Sequence, residues 1–102
     1  MTSTPSAATP TRVSVVTAPA CQVCEVAQED LSRLAQDYPI AVEEAAAGSP
    51  AGQALLHVHG TGIFPLVLVD GEFFSAGRLP RRKLARLLAA RSAAAAAGAG
   101  AR

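Results

Sequence analysis

The run Phe64-Pro65-Leu66-Val67-Leu68-Val69, followed at once by Asp70-Gly71, constrains the fold more than any other stretch of the chain. It is the length of a strand and too short for a helix. Alternating polarity would mark a strand with one wet face, whereas a continuous apolar run marks a central strand covered on both. Pro65 sits at its very start, where the missing N–H is tolerated. Asp-Gly is the strongest two-residue hairpin signal, so Glu72 to Ser75 is expected to return alongside.

The rest of the chain can be placed around this hairpin. Val13, Val15 and Val16 form a β-branched run that stops before Pro19, a short first strand. Cys24, Ala27, Leu31, Leu34, Ala35 and Tyr38 then recur at helical spacing, and Pro39 closes that helix. Ile40, Val42 and Glu44 suggest a weak second strand. Ser49 reads as an N-cap with Pro50 in the first helical position, opening a short helix through Leu55 and Leu56 to about Val58. Gly60-Thr61-Gly62 is a loop. Pro80 opens a last helix with Leu84, Leu87 and Leu88 as its inner stripe, which Ala93 to Ala97 extend by about a turn before Gly98 and Gly100 end it. The expected order is β-α-β-α-β-β-α.

Composition narrows the function. The chain has 102 residues and a formal net charge of +1, so it offers no strong general attraction for nucleic acid or an anionic membrane. It has no Trp, one Tyr and three Phe, too few aromatics for a single-strand stacking platform. No apolar run approaches the roughly 20 residues that span a bilayer. Residues 1–11 read as a disordered leader without the basic start and apolar block of an export signal, and residues 92–102 as an Ala/Gly-rich low-complexity tail. Residues 12–91 are then the folding unit, and the cytoplasm the expected compartment. Two cysteines cannot make the disulfide framework of a secreted miniprotein. A lone Cys-x-x-Cys in a cytoplasmic chain is more often catalytic or metal-binding than structural.

Three stretches carry a family resemblance: VSVVTAPACQVC (13–24), GIFPLVLVDG (62–71) and FFSAGRLPRRKLARLL (73–88). Together they resemble the glutaredoxin-like branch of the thioredoxin-fold superfamily, over nearly all of residues 12–91. The resemblance implies an α/β, three-layer fold with a four-stranded mixed sheet. It implies a cis Phe64–Pro65 peptide bond lying against the cysteines, with Phe64 and Pro65 contacting an extended substrate segment. The activity it implies is thiol–disulfide exchange on disulfide-containing proteins or small thiols, by a monomer with no bound cofactor. Glutathione or another low-molecular-weight thiol, or a flavoprotein reductase, would recharge it. Glutathione-using members carry a Lys at the position of Ala18 and an acid after the turn that here reads Ser75-Ala76-Gly77-Arg78. The acid that thioredoxins bury on the first strand falls near Val15.

The residues suit that chemistry. Cys21 stands at a helix start, where unpaired N–H groups and the helix dipole favour a thiolate. Cys24 lies one turn deeper on the same side. Cys21 is the expected nucleophile and Cys24 the resolving thiol. Gln22 lies between them and is expected to contact substrate, as is Arg78 through an anion contact beside the turn. Three other readings compete. The two thiolates and His57-x-His59 are four potential zinc ligands, the thiolates alone are ligands for an iron–sulfur cluster shared by two chains, and a thioredoxin-fold module can bind a partner without catalysis. His57 and His59 also suit an ordinary helix C-terminus. The basic stretch Arg78, Arg81, Arg82, Lys83, Arg86 and Arg91 is either a solvated helix face or a docking patch for an acidic partner.

Overall fold

The computed structural model describes residues 10–60 and 62–100, and beyond residue 94 it describes the backbone alone. Residues 1–9 of the expected leader, Thr61 of the loop and residues 101–102 of the tail lie outside the described residues. The elements are β1 (Thr11–Thr17), α1 (Gln22–Asp37), β2 (Ile40–Ala46), α2 (Pro50–His59), β3 (Leu66–Val69), β4 (Glu72–Ala76) and α3 (Arg81–Gly100). The sheet order is β2-β1-β3-β4. β1 and β2 run parallel, with Val13 opposite Val42, and α1 supplies the crossover that parallel neighbours need. β1–β3 and β3–β4 are antiparallel, so the sheet is mixed.

The apolar run behaves as its pattern requires. All four residues of β3 are buried, and they divide between the two faces. Val67 and Val69 join Val13 and Val15 of β1 against Ala27, Leu31 and Leu34 of α1 and Leu79, Leu84 and Leu88 at the α3 side. Leu66 and Leu68 join Val16 on the opposite face, where Leu55 and Leu56 of α2 pack. The result is three layers: α1 and α3, the sheet, then α2. Asp70 and Gly71 have φ of 51° and 84°, the positive pair that a tight hairpin needs.

Several boundaries differ from the sequence expectation. Phe64 and Pro65 precede β3 instead of opening it, because a cis bond between them turns the chain before the ladder begins. β2 is seven residues long and includes Glu43 and Glu44, because an edge strand exposed on much of its surface does not need an apolar pattern. Ala35 is exposed, since it lies beyond the arc of Ala27, Leu31 and Leu34 that meets the sheet. α3 continues through Gly98 to Gly100 rather than ending there. Ser49 caps α2 as expected, its Oγ accepting from the Gly52 N–H at 3.0 Å. Gly52 is packed so closely on β2 that a Cβ there would lie 2.0 Å from the Ala46 carbonyl oxygen.

Candidate functional site

β1 ends at Thr17, and Ala18, Pro19 and Ala20 carry the chain from the end of this central strand to Cys21. Ala20 has φ of 53°, a left-handed conformation unusual for a residue with a Cβ. It turns the chain so that Cys21 becomes the N-cap of α1. The Cys21 Sγ accepts a hydrogen bond from the Cys24 N–H at 3.1 Å, so sulfur takes the capping place usually held by a Ser or Asp oxygen. That N–H and the positive end of the helix dipole are the features that favour negative charge at a helix N-terminus, which is where the Cys21 sulfur stands.

Cys21 and Cys24 are joined by a disulfide with a Cα–Cα separation of 5.2 Å. Their environments differ. Cys21 is half-buried, whereas Cys24 is 3% exposed beneath it. An incoming group therefore reaches the first sulfur and not the second.

The Phe64–Pro65 bond is cis. Pro65 is fully buried, and its carbonyl accepts the Gly77 N–H at 2.9 Å. That bond ties the cis-proline loop to the turn before α3. Gly77 has φ of 92°, and a Cβ there would come within 3.1 Å of Ile63, so this tie favours glycine. Phe64 is half-buried and packs on the Val16, Leu66 and Leu68 cluster, on the α2 side of the sheet.

A groove of about 930 Å³ opens between α1 and α3. Gln22 and Arg78 both line it, so the structure brings these two residues together, while Phe64 and Pro65 stand outside it. Val23, Val26 and Leu79 give the groove its apolar surface. Val26 and Leu79 were not singled out from sequence, although a signal existed for Val26. Val23 and Val26 are spaced i, i+3 on the flank of α1 and lie off its buried stripe, and they are 43% and 51% exposed.

Among the described residues, no three His, Cys, Asp or Glu side chains gather where they could hold a metal ion. His57 and His59 occupy the last turn of α2, where imidazole complements the C-terminal dipole, and do not join the cysteines in such a group. No helix among the described residues is long and apolar enough to cross a membrane.

No family model matches the chain. No curated protein matches it either. Solved structures do. A point-mutant thioredoxin from Halobacterium salinarum superimposes with a TM-score of 0.61 at 21% identity, covering 80% of this chain and 74% of that one. Thioredoxin f2 from Chlamydomonas reinhardtii gives a TM-score of 0.59 at 11% identity, covering 80% of each chain. With the strand order, the two-faced core and the capped cysteine pair already in place, these likenesses settle the architecture: the chain is a thioredoxin-fold protein with its Cys-x-x-Cys disulfide at the start of the first helix.

Proposed function

We propose that the chain is a small glutaredoxin-like thiol–disulfide oxidoreductase that reduces protein or low-molecular-weight disulfides. The observation that carries the reading is the asymmetry of the pair: an accessible sulfur at a helix N-terminus, bonded to a buried one a single turn deeper. In the reduced protein the Cys21 thiolate attacks a substrate disulfide. A Cys21–substrate disulfide forms, and one substrate sulfur leaves as a thiolate. Cys24 then loses its proton and attacks the Cys21 sulfur. The Cys21–Cys24 disulfide closes, and the second substrate sulfur leaves and is protonated. Two electrons pass from the dithiol to the substrate. The cis-proline loop, held by Gly77, is the proposed second wall for the substrate chain, with Phe64 supplying apolar surface and Gln22 and Arg78 lining the groove that starts next to Cys21 in the chain.

Recharging takes two electrons from a low-molecular-weight thiol or a flavoprotein reductase in a reducing compartment such as the cytoplasm. Ala18 and Arg78 stand where glutathione-using relatives carry a Lys and an acid, which favours a donor other than glutathione. The test is a redox titration in thiol/disulfide buffers combined with trapping. A reversible two-electron transition is expected for the native chain, Cys24→Ser should accumulate mixed disulfides, and Cys21→Ser should form none. No transition, or thiols masked until bound iron is stripped, would overturn the reading in favour of a cluster-binding module.

A further inference from the structure

The groove between α1 and α3 has an unusual charge balance. Its cations are Arg33 from α1, Arg78 from the turn, and Arg81, Arg82, Lys83 and Arg86 from α3. Its carboxylates are Glu29 and Asp30. Arg81 pairs with Asp30 at 3.5 Å, and Lys83 lies over the Phe74 ring, 5.3 Å from its centroid. The remaining arginines, 33, 78, 82 and 86, make no ion pair among the described residues, and Glu29 is the one carboxylate left to face them. The excess is local, since the whole chain carries only +1.

The position of the groove gives that excess a use. It starts at Gln22, next to the accessible sulfur, and runs along Val23 and Val26. Any polypeptide whose disulfide meets Cys21 must lead its flanking residues away from the site, and this groove is a path open to them. Arg82 and Arg86 are four residues apart on one helix, a rise of about 6 Å. Alternate residues of an extended chain are spaced by nearly the same distance, about 6.6 Å. Carboxylates at every second position of an extended segment therefore match the two guanidinium groups. Nucleic acid fits less well, because no aromatic side chain lines the groove for a base to stack on.

We propose that the groove between α1 and α3 docks an acidic, extended polypeptide segment flanking the target disulfide, with carboxylates at alternate positions on Arg82 and Arg86 and apolar side chains on Val23 and Val26. The proposal rests on the oxidoreductase reading and adds the chemistry of the preferred substrate. The test uses peptides of one disulfide sequence flanked by Asp-x-Asp, Asn-x-Asn or Lys-x-Lys, reduced by the dithiol form of the full chain. The acidic peptide should react about tenfold faster than the neutral one at low salt, and the advantage should shrink as salt screens it. Arg82→Gln with Arg86→Gln should bring the acidic-to-neutral ratio close to one. Equal rates for all three peptides, or a ratio that survives the double substitution, would overturn the docking proposal and leave the oxidoreductase reading standing. Reduction of none of them would overturn both. Stronger competition from a short oligonucleotide than from the Asp-x-Asp flank alone would overturn the assignment to a polypeptide.

Discussion

Where β1 starts and β3 stops, Asp70 occupies the hairpin and its charge is fully used. Its Oδ1 accepts the Arg12 N–H at 3.0 Å, and its Oδ2 is paired with Arg91 of α3. The Asp70 N–H donates to the Arg12 carbonyl at 2.8 Å, and Arg91 also reaches Thr11 Oγ1. Where β1 stops and β3 starts, Cys21 is half-accessible, and the groove that begins next to it carries two outward-facing valines and four arginines that make no ion pair among the described residues. One end commits its charge to tying the hairpin, β1 and α3 together. The other leaves charge and apolar surface open beside the accessible Cys21 sulfur. Internal satisfaction of polar groups stabilises a fold, whereas unsatisfied ones are available to a ligand, so the contrast separates holding from acting.

α3 joins the two ends, and Leu84, fully buried between them, offers the largest test. Leu84→Ala should cost about 2–5 kcal/mol in denaturant unfolding, and it should lower the preference for acidic peptides, because the same helix forms one wall of the groove. A variant that loses stability but keeps the full preference would break the link between the ends. A smaller effect is expected at Gly52, where α2 presses on the last residue of β2. Gly52→Ala pushes a methyl into the Ala46 carbonyl and should cost about 1–3 kcal/mol in the same measurement.

The smallest effect belongs to the Asp70 end. Asp70→Asn keeps a residue that tolerates the turn conformation and removes the charge, so the loss at pH 7 should stay below about 1 kcal/mol for a pair this exposed. The hydrogen bond from Arg12 and then the contact with Arg91 lower the Asp70 carboxyl below its ordinary 3.8. A carboxylate with a depressed value in the folded state contributes stability above its unfolded value and loses it as pH falls through the folded one. The native chain and Asp70→Asn should therefore differ at pH 7 and converge below pH 3.8 in urea titrations. A difference that persists in acid would show that the hairpin, not its charge, distinguishes this end.

Much of the architecture is legible where the signal is local. The β3 run, the Asp-Gly turn, the inner stripe of α1 and the Ser49 cap each reveal themselves within a few residues. β2 is harder to read, because an edge strand exposed on both faces at Glu43 and Glu44 lacks the alternation that marks a strand. The end of α3 is also hard to read, since an alanine run has high helix propensity and two glycines only weaken it. The cysteine pair is plain from spacing alone. Its companions are not: Gln22 and Arg78 come from segments more than 50 positions apart, and only the packing of α1 against the sheet beside α3 makes them walls of one groove. The cis geometry of Pro65 is implied by the family resemblance alone, since nothing in a Phe-Pro dipeptide specifies it.

The depth difference between the two sulfurs also bears on survival under oxidative stress. In the dithiol form a peroxide meets Cys21 first, and Cys24 is shielded. A sulfenic acid formed on Cys21 has a thiol within one helical turn, which condenses with it and releases water. Condensation at that range competes with the further oxidation that ends irreversibly in sulfinic acid. The buried cysteine is thereby a safeguard for the exposed one, and damage is diverted into the same disulfide that the proposed exchange cycle reduces.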